Sequence, residues 1–331
     1  MAHSVTLIPG DGIGPEVIEA ARQVVAAAGV DVHWHEAEAG AGVVAKYGTP
    51  MPDATLNRIR EDRVALKGPL TTPIGYGFGS PNVTLRKALD LYVCLRPVSS
   101  LPLVPSRYED VDLIVVRENT EGLYSGVEHL VVPGIAESLK ITTEVASVRI
   151  AEYTFELARK LGRKRVTSVH KANIMKITDG LFLECCRRVA RRYPEVEYQE
   201  EIIDALCMKL VKDPTQFDML LTDNLYGDIV SDLCAGLVGG LGVVPGANLG
   251  REWAVFEAVH GSAPDIAGKG MANPLAVILS ACMMLEHLEE DAAARRVRDA
   301  VTRALGSGVA TRDLGGTATT QEFTQAVIAA L

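Results

Sequence analysis

Asp228 and Asp232 stand four residues apart in the run DNLYGDIVSD, residues 223–232. On a helix this spacing puts both carboxylates on one face, where like charges repel unless a cation joins them. Oxygen ligands without cysteine or imidazole suit Mg2+ or Mn2+ rather than zinc. A solvated helix face shows the same spacing, so the pair alone does not settle the matter. Arg86, closing the run SPNVTLR, together with Arg96 and Arg117 supplies three guanidiniums. If they converge, they fit a polycarboxylate, since the guanidinium fork grips carboxylates bidentately. Otherwise they are separate surface ion pairs, and Ser80 and Asn82 in the same run are helix caps. Lys171, in HKAN, becomes a base if burial or a nearby cation lowers its pKa, and Tyr124, in ENTEGLYSG, is a candidate acid. Taken singly, both are as readily structural.

The elements that would carry these groups alternate. Apolar runs over 5–9, 112–117, 166–171 and 218–223 predict strands, and helical spacing over 145–161 and 275–288 predicts helices. Pro15 and Glu16 open another helix, with Val17, Ile18, Ala21, Val24, Val25 and Ala28 on one face and Gly29 at its end. This alternation implies an α/β layered fold with mostly parallel strands. Arg117, Lys171 and Asp223 each stand where an apolar run stops, and the carboxyl ends of strands are where such sheets bind ligands. The turn GDGIG, residues 10–14, follows a strand and opens a helix, but Pro15 breaks the GxGxxG pattern and Asp11 would repel a pyrophosphate. The loop HGSAPDIAGKGMANP, residues 260–274, is Gly-rich and precedes a helix, so its N–H groups could meet a phosphate. Asp265 within it would accept from a ribose 2′-hydroxyl and repel a 2′-phosphate. An ordinary surface loop is the alternative.

The chain has 331 residues, 48% of them hydrophobic and 23% charged, enough for about two domains with real cores. That apolar content excludes a disordered chain, and a net charge of −9 argues against a nucleic-acid partner. Six cysteines without a CxxC pair read as reduced thiols. The apolar stretch 233–250 is too broken by glycine and proline to cross a membrane, and the first residues lack the features of a leader, so a cytoplasmic protein is expected.

Together the motifs GDGIGPE, SPNVTLR, RENTEGLYSGVEH, NLYGDIVSD and HGSAPDIAGKGMANP resemble those of the β-decarboxylating dehydrogenases, which act on isocitrate, isopropylmalate, homoisocitrate and tartrate. Within that family the chain looks most like the NAD-dependent isocitrate dehydrogenases. The resemblance implies the family's own two-domain α/β fold, not a Rossmann fold. It places a large domain over 1–91 and 239–331, a small one over 92–121 and 144–238, and a dimer clasp over 122–143. It implies oxidative decarboxylation of isocitrate to 2-oxoglutarate, with NAD and Mg2+ or Mn2+ as cofactors. Tyr124 and Lys171 match the catalytic pair. Arg86, Arg96, Arg117, Ser80, Asn82 and Asn173 match substrate contacts; isopropylmalate enzymes carry apolar residues near Ser80 and Asn82. Asp228 and Asp232 match metal ligands, with Asp204 and Lys171 supplied across a homodimer or larger assembly. Ile13, Thr72, Glu257, His260, Gly261, Ser262, Ala263, Asp265, Ile266 and Asn273 match the dinucleotide site, where an NADP enzyme would show Lys-Tyr at 265–266. Nothing implies a nucleic-acid or membrane partner. A sister dehydrogenase for homoisocitrate or isopropylmalate, or a non-catalytic regulatory subunit, are the alternatives.

Overall fold

The structure, a computed structural model, describes residues 2–331 apart from Tyr76. The chain forms two compact units, one of Met1–Leu89, Ser100–Glu109 and Ala235–Leu331, the other of Asp90–Ser99 and Asp110–Cys234.

The first unit begins with β1 (His3–Ile8) and helix α1 (Gly14–Ala27). The apolar face expected of this helix is buried, and Gly29 just beyond its end takes φ +78°, the left-handed conformation that closes a helix at little cost. Next come β2 (Val32–Glu36), the short α2 (Val44–Tyr47), α3 (Asp53–Asp62), β3 (Val64–Lys67) and α4 (Pro81–Ala88). Strands β2 and β3 flank β1, each parallel to it.

The second unit holds β4 (Val93–Ser99), β5 (Asp112–Glu118), the hairpin β6 (Glu128–Val132) and β7 (Ile135–Ser138), α5 (Glu144–Leu161), β8 (Arg165–His170), α6 (Thr178–Ala190), β9 (Glu197–Ile202), α7 (Ile203–Lys212), β10 (Met219–Thr222) and α8 (Asn224–Leu237). Strand β10 lies between β5 and β8, parallel to both, and β9 is parallel to β8, while β4 runs antiparallel to β5. Strands β5, β8 and β10 are covered on both faces, which is why they read as unbroken apolar runs rather than alternating ones.

The chain then completes the first unit with β11 (Pro245–Leu249), β12 (Ala254–Ala258), α9 (Leu275–His287), α10 (Asp291–Gly306) and α11 (Thr320–Ala329). Strand β12 pairs parallel with β3 and antiparallel with β11. Every residue of α9 from Leu275 to Leu285 is buried, so this helix is apolar all round and forms the middle of the unit's core. Among the described residues no helix is long and apolar enough to cross a membrane.

Residues 100–109, placed by the sequence with the small domain, pack with the first unit instead. A Cβ on Gly239 would stand 2.5 Å from Val104 Cγ1, so the glycine is what lets this loop lie against the chain re-entering the unit. The units also divide at 89/90 and 234/235 rather than at 91/92 and 238/239. The 122–143 segment is built around the β6–β7 hairpin, whose strand residues are all exposed.

Candidate active site

In the second unit, α8 delivers Asp228 and Asp232 while β4 and β5 deliver Arg96 and Arg117. Arg117 is 1% exposed. Its Nε and Nη2 donate to Asn224 Oδ1 at 3.1 and 2.6 Å, and its Nη1 donates to Asp228 Oδ1. Arg96 Nη1 donates to Asp232 Oδ1 at 3.1 Å and to Ser231 Oγ, and its Nη2 lies 3.7 Å from Asp228 Oδ1. Tyr124, on a single 3-10 turn, donates its hydroxyl to Asp228 Oδ2 and stacks 5.0 Å from the Arg117 guanidinium. Gly227 makes this assembly possible: a Cβ there would stand 2.3 Å from Thr222 Oγ1 and 2.5 Å from Arg117 Cγ. Asn224 stands beside Asp223 where the apolar run of β10 stops, a place already marked in the sequence; Gly227 was not singled out, and its signal was its place in the same helix as the acid pair. Partial burial pushes the Asp232 carboxyl up, against the pull of Arg96.

Lys171 follows directly after β8, and its backbone N–H donates to Asp179 Oδ2 at 2.7 Å. Its Nζ bonds Asp204 Oδ1 in the first turn of α7, and that contact holds the Asp204 carboxyl below the usual range. Tyr124 is therefore bonded to Asp228, and Lys171 to Asp204. Asn173 lies exposed in the turn after Lys171. Among the described residues of one chain, no group of three or more histidines, cysteines or acids is placed to hold a metal.

In the first unit Arg86 meets a different carboxylate. Its Nη2 lies 3.3 Å from Glu257 Oε1, which also accepts from Asn248 Nδ2 at 2.6 Å. Glu257 Oε2 lies 2.5 Å from Lys67 Nζ, which is fully buried and also donates to the Gly68 carbonyl. Burial would push the Glu257 carboxyl up, but Lys67 and Arg86 beside it hold it well below the usual carboxylate range. Lys67 went unnoticed in the sequence, although it ends an apolar strand as Arg117 and Lys171 do.

Pro81 takes the first position of α4, where its fixed φ suits a helix start. Ser80 stands at the N-cap but its side chain caps nothing; its hydroxyl accepts from Thr72 Oγ1 at 3.1 Å, so the capping alternative is discarded. Asn82 Oδ1 is buried without a partner.

Asp11 is a structural anchor. Its carboxylate accepts backbone N–H groups from Ala41, Gly42 and Thr71 at 2.9, 3.2 and 2.8 Å, pinning two loops to the β1–α1 turn. The buried Ile13 donates its N–H to the Ser262 carbonyl, and a Cβ on Gly12 would stand 1.9 Å from that oxygen. Ser262 Oγ accepts from Thr71 Oγ1. Ala263 takes φ +37°, Gly261 and Asp265 are exposed, and the Ile266 N–H closes a turn on the Ala263 carbonyl. His260 Nε2 is buried without a partner, and burial lowers the pKa of this ring. Asn273 spans from the Leu275 N–H to Asp313 Oδ2, and Glu16 Oε1 accepts from the Ala272 N–H behind the same loop.

The donor sets fit the implied groups. Asp228 and Asp232 offer only oxygens, and both side chains reach solvent, as a hard divalent ion requires. His260 Nε2 and Asn82 Oδ1 are buried polar atoms left unmet, the kind a bound molecule satisfies. Asp265 carries its carboxylate in the open, where a 2′-phosphate would be repelled.

The family model described as isocitrate/isopropylmalate dehydrogenase matches residues 4–327. The mitochondrial "Isocitrate dehydrogenase [NAD] catalytic subunit 5" of Arabidopsis thaliana is 54% identical over 326 residues, 98% of this chain and 87% of that protein. The chloroplastic 3-isopropylmalate dehydrogenase of Solanum tuberosum is 55% identical over 304 residues, covering 92% and 85%. The crystal structure of isocitrate dehydrogenase from Methylococcus capsulatus superposes with a TM-score of 0.97 at 51% identity, over 99% of both chains. The Arg–Asp cluster of α8 and the loop over 260–274 thus sit on a known, non-Rossmann dehydrogenase scaffold, and the chain belongs to the isocitrate/isopropylmalate dehydrogenase family.

Proposed function

We propose that this chain oxidises isocitrate with NAD+ and releases CO2 to give 2-oxoglutarate, with Mg2+ or Mn2+ held by Asp228 and Asp232. Relatives named for isocitrate and for isopropylmalate are almost equally similar to it, so overall likeness does not choose the acid. The observation that carries the choice is the polar first turn of α4. The Ser80 hydroxyl stands there beside Asn82, whose buried amide oxygen lacks a partner. An isopropyl group against that turn would leave the amide unpaired, at a cost of about 1–3 kcal/mol. A carboxylate would instead accept from the Ser80 hydroxyl and, with the amide turned about, from Asn82 Nδ2.

Arg86, Arg96 and Arg117 hold the malate-like carboxylates through charge-assisted hydrogen bonds. When bound, the ion supplies Lewis acidity at the substrate hydroxyl and the nicotinamide accepts hydride. Lys171 Nζ takes the hydroxyl proton, and the Tyr124 hydroxyl returns a proton to the carbon that CO2 leaves. His260, Asn273 and Asp265 line the dinucleotide's place, and Asp265 favours NAD+ over NADP+.

We infer further that two copies of the chain share each site. Lys171 and Asp204 bond each other rather than the Tyr124–Asp228 group, and the β6–β7 hairpin exposes Leu130, Val132 and Ile135. Such an apolar hairpin fits a second copy.

The test is NADH formation by the purified chain with isocitrate, isopropylmalate and homoisocitrate, each with NAD+ and with NADP+. The highest kcat/KM for isocitrate with NAD+ supports the reading. Preference for either other acid reassigns the substrate, and inactivity that is relieved only by adding a second, different subunit makes the chain regulatory.

A further inference from the structure

We infer that the first unit carries a second metal site of different chemistry, where His33 and His35 on β2 bind a late-transition divalent ion such as Cu2+, Ni2+ or Zn2+. Strand β2 pairs only with β1, so its outer edge is free among the described residues. Two residues apart on a strand, the two imidazoles project from the same face, with ring centroids 4.6 Å apart.

His35 is held for the task. Its Nδ1 lies 2.8 and 2.9 Å from the two oxygens of Asp62, at the end of α3, and that carboxylate also accepts from Thr6 Oγ1 at 2.7 Å. The Asp62 side chain is 4% exposed, so the carboxylate cannot turn away. A carboxylate acceptor requires the proton on Nδ1, which leaves the Nε2 lone pair as the ligand. This carboxylate–histidine–metal arrangement is the one that orients metal-binding imidazoles in general. His33 is exposed and has no hydrogen bond among the described residues, so its ring can turn from its edge-on contact with His35 toward the same point without breaking a hydrogen bond.

Two imidazoles with the remaining positions left to water select late transition ions and offer little to Mg2+ or Mn2+. The oxygen pair on α8 has the opposite preference. The two sites therefore sort ions by ligand chemistry, and an ion on β2 would tether that edge strand to α3 through Asp62.

The experiment uses the full, untagged chain after chelator treatment, titrated with Cu2+ without substrate and followed by electron paramagnetic resonance. We expect about one equivalent bound with a two-nitrogen hyperfine pattern. H33Q should reduce the pattern to one nitrogen and weaken binding at least tenfold, and D62N should weaken it about 10- to 100-fold. H129Q, on the β6–β7 hairpin of the second unit, should change nothing. H33Q removes no hydrogen bond, so its metal-free melting temperature should match wild type while the rise produced by Zn2+ disappears. An unchanged spectrum and affinity in H33Q, or loss of the signal in H129Q instead, overturns the proposal. Neither outcome depends on whether the chain oxidises isocitrate.

Discussion

Two of the chain's arginine–carboxylate clusters look alike on paper and differ in surroundings. In the first unit, Glu257 is enclosed by Lys67, Arg86 and Asn248, and almost every partner is buried. In the second, Arg96 and Arg117 are buried but their acids, Asp228 and Asp232, keep 35% and 53% of their side chains exposed. A closed cluster with its charges matched holds its own shape. An open one, with carboxylates reaching solvent and only cations behind them, is poised to exchange those contacts for a metal and an anionic substrate. The Lys67–Glu257 pair thus holds the shape behind Arg86, whereas the acids of α8 are left open for chemistry.

The largest effect should come from breaking the open cluster's chemistry. We expect Lys171→Met and Asp228→Asn each to reduce turnover at least about a thousandfold, some 4 kcal/mol of transition-state stabilisation. Lys171→Met should barely change the unfolding curve, because its partner Asp204 is mostly exposed. If sites are shared between two copies, mixing the two dead variants under exchanging conditions should restore about a quarter of wild-type NADH formation. No recovery in verified hybrids would mean that each chain works with its own lysine.

The closed cluster should fail differently. Lys67→Met leaves Glu257 ionised and partly unpaired, and urea unfolding should show a loss of about 3–5 kcal/mol. Because the folded Glu257 carboxyl is held below its unfolded value, its contribution is present above the ordinary carboxylate range and is lost as pH falls through the folded value. Glu257→Gln should therefore differ from wild type at neutral pH and converge with it in strong acid. A pH-independent difference would show that the cluster's charge is irrelevant to stability.

Gly227→Ala comes next, forcing a methyl against Thr222 and Arg117 at a cost of about 1–3 kcal/mol, with activity lost alongside. The smallest stability effect belongs to Asp232→Asn. Burial raises this carboxyl above its unfolded value, so ionisation destabilises the fold slightly as pH rises through the unfolded value, and neutralising it should change stability by less than about 0.5 kcal/mol. Turnover should nonetheless collapse in that variant, which separates the open cluster's two roles.

The α/β architecture was legible because its signals are local. The periodicity of α1 and the unbroken apolar strands can be read within a dozen residues, and all reappear in the structure. The rule that charged residues at strand ends are site candidates singled out Arg117 and Lys171 but passed over Lys67, because a lysine after three apolar residues looks like a solvated terminus. Asp11 was misread as only a repeller of phosphate, since its three N–H donors come from residues 41, 42 and 71, which no local pattern connects to it. Ser80 had the right type and place for a cap and does something else, because Thr72 reaches its hydroxyl first. Motif resemblance identified the family and its residue types. It could not say that loop 100–109 belongs with the first unit, since that depends on Gly239 far along the chain.

The metal role of the α8 carboxylates stands or falls on NADH formation from isocitrate after removal of divalent ions. The expected result is no activity in chelator, full recovery with Mn2+ or Mg2+, and no recovery by either ion in Asp232→Asn. Undiminished turnover in chelator, or metal-restored turnover in Asp232→Asn equal to wild type, would contradict the assignment of the α8 carboxylates.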